Sequence, residues 1–552
     1  MQGMLRALAH GQSEELIEKV LDWAREDPEA FVRAARSYVE EHGPREAAAA
    51  SSGTWQNIIG NQVETPQSLT EAQSLADLVA AVEGAADGEE VRAVGSGWSF
   101  SDITLATGHM ITTEGLDAVL DLETSVLKSG APAPIFRFEG GITIKALNQA
   151  LADEGLALIN MGGDDGQSFV GAMSTSTHGS GVTLGPFPSM VLSLDLVAGD
   201  GTVHRVEPAD GITDPAAFAA AHPDVTLHQD DNWFRTVTCS MGCTGLIASV
   251  YLSVMNAYNL TETRTASTWN TVKAQLAELD PDGIPAVVKA HRHYEVDVNP
   301  YPESDGDHFC IVVTRDITTL PPHSGGGHRD YVSAFFSAIP GMEDILVAFL
   351  NLFPCLIPAL TTQALESLED ENYVDQSFKV LNLGPPNDLS AYGIELSVPM
   401  EAIVPTVEQI MGVAAAARAE SPAAWQTAPI ALRFVAPATA YLSPQVGRPT
   451  CMIECDTLNG TDNGWSLLSR YERATIDTQG ARVHWGLDDD VLTATDVRAM
   501  YPDLDAWCAV FSALNHQGHF DSEFTRRVGL SDAAPAPVAA VEVEEDAPSP
   551  RP

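Results

Sequence analysis

Two stretches, Val91–Asp102 (VRAVGSGWSFSD) and Gln167–Gly181 (QSFVGAMSTSTHGSG), decide how the rest of the chain is read. Each is a short apolar run that breaks into small residues, so its backbone can come within hydrogen-bonding distance of a bulky anionic group. That chemistry points to a bound phosphate. Gly95 and Gly97 supply G-x-G, but Phe100 stands where a dinucleotide fingerprint has its third glycine, and no amphipathic helix follows. Taken singly, either stretch also reads as a surface turn.

Together the stretches resemble the two pyrophosphate-embracing loops of the vanillyl-alcohol oxidase superfamily of flavin-linked oxidases, in the branch of the alditol, aldonolactone and covalent-flavin cholesterol oxidases. The resemblance runs from about Trp55 to Val528, and Ser174–Gly181 (STSTHGSG) is its most specific part. It implies an α+β fold: a two-part PCMH-type FAD-binding domain, plus a cap domain whose antiparallel sheet is covered by helices. It also implies FAD as cofactor, held by Gly95, Ser96, Gly97, Trp98, Ser99 and Phe100 in the first loop. The second loop would contribute Gly171, Ser174, Thr175, Thr177, His178, Gly179 and Gly181. Gly242, Gly245 and Ile247, in the Gly-x-x-Gly-hydrophobic segment, join this set on the flavin side, as does His484; a core strand with a bulge is the alternative for that segment.

A chain of 552 residues predicts two or three domains. The expected division is a helical extension over 1–50, the FAD-binding domain over 51–257, a substrate or cap domain over 258–480, a return to the FAD domain over 481–530, and an acidic Pro/Ala tail over 531–552 that is expected to be disordered. Only 29 Lys and Arg stand against 76 Asp and Glu, a net charge of −47. Such a surface repels phosphate backbones and anionic headgroups, which excludes nucleic acid and membrane as partners. The expected partners are a small-molecule substrate and oxygen or another electron acceptor, while the oligomeric state stays open. The N-terminus lacks the apolar core of a secretory signal, so a cytoplasmic protein is expected.

The seven cysteines form no C-x-x-C pair, and reduced, buried thiols are expected, with no metal site. The most apolar run, Ile345–Leu360, is interrupted by Asn351, Pro354 and Pro358 and is too short for a membrane span. Burial, or the mouth of an apolar pocket, is its expected role. Helical spacing of Leu16, Val20, Leu21 and Ala24, then Phe31, Ala34, Ala35 and Tyr38, predicts a helical pair over residues 13–42. Asp27 and Pro28 read as the cap and first turn of its second helix.

Strands are expected at Val91–Val94, Met110–Thr112 and Ile135–Glu139, a hairpin around Gly199-Asp200-Gly201, and helices at Ser74–Gly84 and Thr143–Glu154. Alternation also marks cap strands at Ala290–Val298, Phe309–Thr314, Gly393–Val398, Leu432–Val435 and Thr450–Asp456.

Oxidation of an alcohol by a flavin needs a C–H bond held close to N5 and a polar group that takes or polarises the hydroxyl proton. The resemblance implies a Glu-x-Arg pair on a cap strand and a lysine ending an H-W-G-K motif. Here the first reads Ala431-Leu432-Arg433 and the second His484-Trp485-Gly486-Leu487. Arg433 is therefore the leading catalytic candidate, with an ion pair to a neighbouring carboxylate as its structural alternative. His293, Glu295, Glu395 and His516 are candidates for the base. The loss of two charges predicts a substrate less polar than an alditol. Trp98 occupies the position of the tethering histidine in the relatives' G-[SG]-x-H-S motif. Indole nitrogen carries no free lone pair, so non-covalent FAD is expected. Hydride transfer from a C–OH, C–N or C–C group is the first function expected. The alternative is a flavin-binding protein that has lost this chemistry.

Overall fold

A computed structural model describes residues 4, 5, 7, 8, 13–42, 53–325, 330–337, 342, 345–383 and 391–531. The tail expected at 531–552 lies outside these residues beyond Ser531. The strands Ser68–Glu71, His109–Thr112 and Val91–Val94 form a parallel three-stranded sheet, beside which runs the helix Leu75–Glu83. A second sheet orders its strands Val225–Gln229, Val203–Glu207, Val191–Val197, Leu246–Ser253, Ile135–Glu139 and Val119–Leu120. These two sheets stand where the two parts of an FAD-binding domain are expected. The expected hairpin is present, with Val203 opposite Val197.

The third sheet has eight strands, numbered here in chain order: β1 (Asn259–Thr268), β2 (His293–Val298), β3 (Phe309–Thr318), β4 (Asp370–Gln376), β5 (Ala391–Pro399), β6 (Ile430–Val435), β7 (Thr450–Leu458) and β8 (Arg482–Val483). They lie in the order β4-β1-β3-β2-β6-β7-β5-β8, and every pairing is antiparallel. The helices Ile403–Arg418 and Gly464–Gln479 pack together on this sheet.

The register decides what each face carries. Val296, Leu432, Ile453 and Leu396 fall in one cross-strand row and all four are fully buried. Burying such aliphatic side chains contributes about 1.5–3 kcal/mol each. The adjacent row, on the opposite face, reads Asp297, Ala431, Glu454 and Glu395. A slip of one residue in β6 would exchange Leu432 for a charged surrounding, so the apolar row fixes the position of the polar one.

The N-terminal pair forms two helices, Glu14–Glu26 and Pro28–His42, and the Asp27 carboxylate accepts from the Ala30 amide at 3.1 Å, as a cap does. The pair lies on the apolar run: Phe31 meets Phe349 edge-on at 5.7 Å, and Tyr38 meets Phe353 at 5.0 Å. Ile345–Leu360 is thus roofed by the extension. That corrects the alternative in which it forms the mouth of a pocket. No single helix among the described residues is long and apolar enough to cross a membrane.

Candidate active site

The small parallel sheet and the six-stranded sheet flank a cleft. Gly95, Gly171, Ser174, Thr175, Gly242, Gly245 and Ile247 line it, together with Arg92 and Ser168. At Gly95 the two loops nearly touch: a Cβ there would lie 2.2 Å from Ser168 Oγ. Gly242 takes a φ of +70°, and its open side faces the Arg92 side chain 3.9 Å away. Arg92 was not singled out from the sequence, where it reads as one polar residue of a strand. It is buried, and it donates to the Gly242 carbonyl at 2.8 Å and to Ser522 Oγ at 2.9 Å.

The return segment braces the first loop. The Phe100 amide donates to the Gly486 carbonyl at 2.9 Å and Ser101 Oγ to the Trp485 carbonyl at 2.7 Å. Arg527 pairs with Asp102 at 2.6 Å and with Asp489 at 2.8 Å. Trp98 lies against Gly166, where a Cβ would come within 2.5 Å of the indole. Gly97 has a φ of +68°, and an added Cβ there would meet the Trp55 ring at 3.5 Å, whereas Gly179 is packed on Met161, whose carbonyl would lie 2.2 Å from an added Cβ. Gly181, at φ +124°, bridges to Val435 on β6 and so joins the second loop to the large sheet. Thr177 and Thr175 hydroxyls are 3.3 Å apart.

From this junction a line of charged groups crosses the polar face of the large sheet. His178 Nδ1 donates to the Gly179 carbonyl at 2.8 Å, and Nε2 faces Glu395 Oε2 at 3.1 Å. Both acceptors are filled by N–H groups when the ring is an imidazolium. Burial works against that charge, but Glu395 outweighs it and raises the histidine above its ordinary range. Glu395 is itself buried, and His178 nonetheless holds it down at about 2. His484 Nδ1 accepts from the Gly486 amide at 3.1 Å, so a neutral ring has its proton on Nε2; burial lowers it to about 4. Ligating atoms of His178, Glu395 and His484 all lie within 4.8 Å of one another, a spacing that suits a cation. Each ring has one nitrogen tied to the backbone, His178 Nδ1 to the Gly179 carbonyl and His484 Nδ1 to the Gly486 amide.

Arg433 is ion-paired with Glu454, directly across from Ala431 on β7, and lies 3.7 Å from Glu395 Oε1. The ion-pair alternative for Arg433 therefore holds, while the guanidinium stays on the polar face beside the His178 network. Glu454 supplies from the neighbouring strand the carboxylate that Ala431 lacks.

The other base candidates separate. Glu295 pairs with Arg315 at 2.6 Å, and that cation with Arg433 offsets its burial and keeps it below the usual range, so it is no free base. His293 donates from Nδ1 to the Ser180 carbonyl at 2.8 Å, and burial lowers it to about 4. It is a neutral, weakly basic ring. His516 is a correction: its side chain is 49% exposed, 3.7 Å from Asp200 on the hairpin of the FAD-binding domain, and the structure does not bring it to the network.

Four carboxylates escaped the sequence reading: Glu454, paired with Arg433, and Asp164, Asp297 and Asp456. Burial, then neighbouring acids, push Asp164 and Asp297 up to about 6 and Asp456 well above its ordinary range. The alternation of CMIECDT put Glu454 and Asp456 on one face, but nothing local said that this face opposes Ala431. The ground for expecting a substrate less polar than an alditol weakens here. Removing one glutamate from β6 does not strip the floor of charge when Asp297 and Glu454 stand in register on either side.

Residues 250–528 match the D-arabinono-1,4-lactone oxidase family, and residues 66–207 match the FAD-binding domain that accompanies it. The chain belongs to the D-arabinono-1,4-lactone oxidase family. It is an FAD-dependent oxidoreductase with a PCMH-type FAD-binding domain. It is 28% identical over 86% of its length to L-gulono-1,4-lactone dehydrogenase of Mycobacterium tuberculosis, covering 99% of that protein. Alditol oxidase of a Streptomyces species is 24% identical, with 85% of this chain and 97% of the relative covered. Among solved structures, cholesterol oxidase of B. sterolicum shares the fold at a TM-score of 0.64 and 13% identity, covering 88% of this chain and 99% of that one.

Proposed function

We propose that this protein oxidises a CH–OH donor, with FAD bound non-covalently in the cleft and the alcohol held over the polar face of the large sheet. FAD, when bound, supplies the hydride acceptor. Gly95, Gly171, Ser174, Gly242 and Gly245 would lie against its diphosphate, and Arg92 would face its charge. Ser96, Gly97, Trp98, Ser99 and Phe100 complete the first loop; Thr175, Thr177, His178, Gly179 and Gly181 carry the second toward the polar face, with Ile247 and His484 flanking it.

One observation supports this reading above the others: the continuous charged line from His178 through Glu395 to Arg433 and Glu454, which begins at the second loop. Arg433, held from two sides by Glu454 and Glu395, orients a substrate oxygen as a fixed donor. The hydroxyl proton passes to a carboxylate whose pKa lies near the working pH; Asp164 and Asp297, at about 6, have that property. The second reading, flavin binding without this chemistry, drew on Ala431 and Leu487, and the pairing of Glu454 with Arg433 weakens it.

Anaerobic mixing of the purified holoprotein with a panel of alditols, aldonolactones, amino alcohols, sterols and aromatic alcohols tests the proposal. Bleaching of the flavin band near 450 nm by at least one of them is expected, and a yellow protein that none of them bleaches would favour the second reading. Whether oxygen or another acceptor reoxidises the flavin follows from readmitting air. Non-covalent attachment has its own check: after acid precipitation the flavin is expected in the supernatant. A pellet that stays yellow, with a peptide carrying the mass of FAD, would show attachment through a residue other than Trp98.

A further inference from the structure

Residues 55–64 (WQNIIGNQVE) form a small hairpin against the first loop, with Trp55 opposite Glu64 and Gln56 opposite Val63. The Ile58 amide donates to the Gly97 carbonyl at 3.0 Å. Asn57 Nδ2 donates to the Ser99 carbonyl, and Asn61 Nδ2 and Gln62 Nε2 both donate to the Phe100 carbonyl, each at 2.8 Å. Asn57 is 2% exposed. Its Nδ2 also reaches Asn61 Oδ1 at 2.6 Å and its oxygen accepts from the Gln62 amide at 3.1 Å, so the three carboxamides are tied into one unit. Asn459, directly after β7, anchors the hairpin by donating to the Ile59 carbonyl at 3.1 Å.

These contacts set the direction of the loop's own donors. In a planar trans peptide the carbonyl of one residue and the N–H of the next point opposite ways. With the Gly97, Ser99 and Phe100 carbonyls turned to the hairpin, the N–H groups of Trp98, Phe100 and Ser101 are turned away from it. The Phe100 N–H goes to the Gly486 carbonyl at 2.9 Å. The other two donate to no protein acceptor among the described residues, although Ser101 is fully buried. A buried donor without an acceptor is costly, so this side of the loop calls for an acceptor that the chain itself does not supply.

We propose that Asn57, Asn61 and Gln62 are positioning residues for the cofactor: their carboxamides hold the carbonyls of the first loop outward and so keep the Trp98 and Ser101 amides for an anionic group of FAD. None of the three touches the flavin in this role. They act through the loop, and the retention of a cofactor without a covalent bond depends on them. The proposal rests on the FAD placement and the non-covalent reading given above.

The test measures FAD binding by the apoprotein, from the quenching of flavin fluorescence, and involves no turnover. Asn61→Asp combined with Gln62→Glu exchanges two N–H donors for carboxylates of nearly the same shape, which only accept. This double variant is expected to bind FAD at least tenfold more weakly than the wild type at pH 8, with the melting transition of its apoprotein unchanged. Gln56→Glu, which adds charge at an exposed position of the same hairpin, should bind as the wild type does. Gln62→Glu alone carries the signature of the lost donor. A protonated carboxyl donates again, so its deficit relative to the wild type should shrink when the pH falls from 8 to 5.5. If the double variant fails to fold, this pH dependence decides the matter. Wild-type affinity in the double variant would overturn the proposal, as would an equal loss in Gln56→Glu or a Gln62→Glu deficit that is the same at both pH values. The FAD placement is separated by Gly95→Val, which crowds the cleft itself. Flavin lost there but bound normally by the double variant would leave the placement standing and remove the clamp; flavin kept by both would remove the placement as well.

Discussion

Arg433→Met is expected to destabilise the protein by about 3–5 kcal/mol at pH 8 and to abolish substrate-driven flavin bleaching. The magnitude is that of removing one partner from a buried ion pair, which leaves the other charges uncompensated. Here the partners left behind are Glu454 and Glu395, with Glu295 and Asp297 close by. The pH dependence has a definite sign. Without the guanidinium, folded-state carboxylates in this cluster titrate higher than in the unfolded chain. The folded state then binds more protons between the two pKa values, so its stability falls as pH rises through that interval. The wild-type protein retains Arg433 and loses less over the same interval. The gap in melting temperature between variant and wild type should therefore be smaller at pH 5.5 than at pH 8, measured by differential scanning fluorimetry at one ionic strength. A gap that widens toward pH 5.5 would contradict the assignment of Arg433 as the cation that balances these acids.

Gly95→Val is expected to give a folded protein that purifies with less than about a tenth of the wild-type flavin. The reason is geometric: a Cβ at this position strikes Ser168 Oγ at 2.2 Å and lies 3.0 Å from Ser168 Cβ, so valine's branches crowd the place where both loops line the cleft even after the hydroxyl turns away. A serine hydroxyl can rotate aside, which is why the fold should survive while the cleft is reshaped. Gly179→Val differs, since there the clash is with the Met161 carbonyl and the whole second loop would be displaced. Loss of flavin in the second variant alone would not locate the cofactor; loss in Gly95→Val with an unchanged melting transition of the apoprotein would. Full flavin occupancy in Gly95→Val would place the cofactor elsewhere.

Much of this architecture was legible because it is local. Alternation found the strands that became β2, β3, β5, β6 and β7, and the small-residue loops marked the cleft without any three-dimensional information. Arg433 was legible only through the resemblance, whose Glu-x-Arg pair Ala431-Leu432-Arg433 half matches. Glu454, Asp297 and Asp456 were not, because their meaning lies in cross-strand register, which two alternating strands do not reveal until their partners are known. Arg92 was missed because a buried arginine in a short strand looks like an exposed one. His516 was misread in the other direction: its segment returns to the FAD-binding domain as expected, but on the face that carries Asp200. The apolar stretch Ile345–Leu360 showed its hydrophobicity but not its cover, which comes from residues more than three hundred positions earlier.

That cover bears on how the protein behaves in concentrated solution. A net charge of −47 keeps copies apart by mutual repulsion, but the reach of this repulsion is only about 8 Å at physiological ionic strength and shrinks as salt rises. Under strong screening, colloidal stability depends on how little apolar surface a molecule presents. Phe349 and Phe353 lie beneath Phe31 and Tyr38 of the N-terminal pair. The N-terminal helical pair thus gives this chain a protection against clumping that its charge cannot provide in brine.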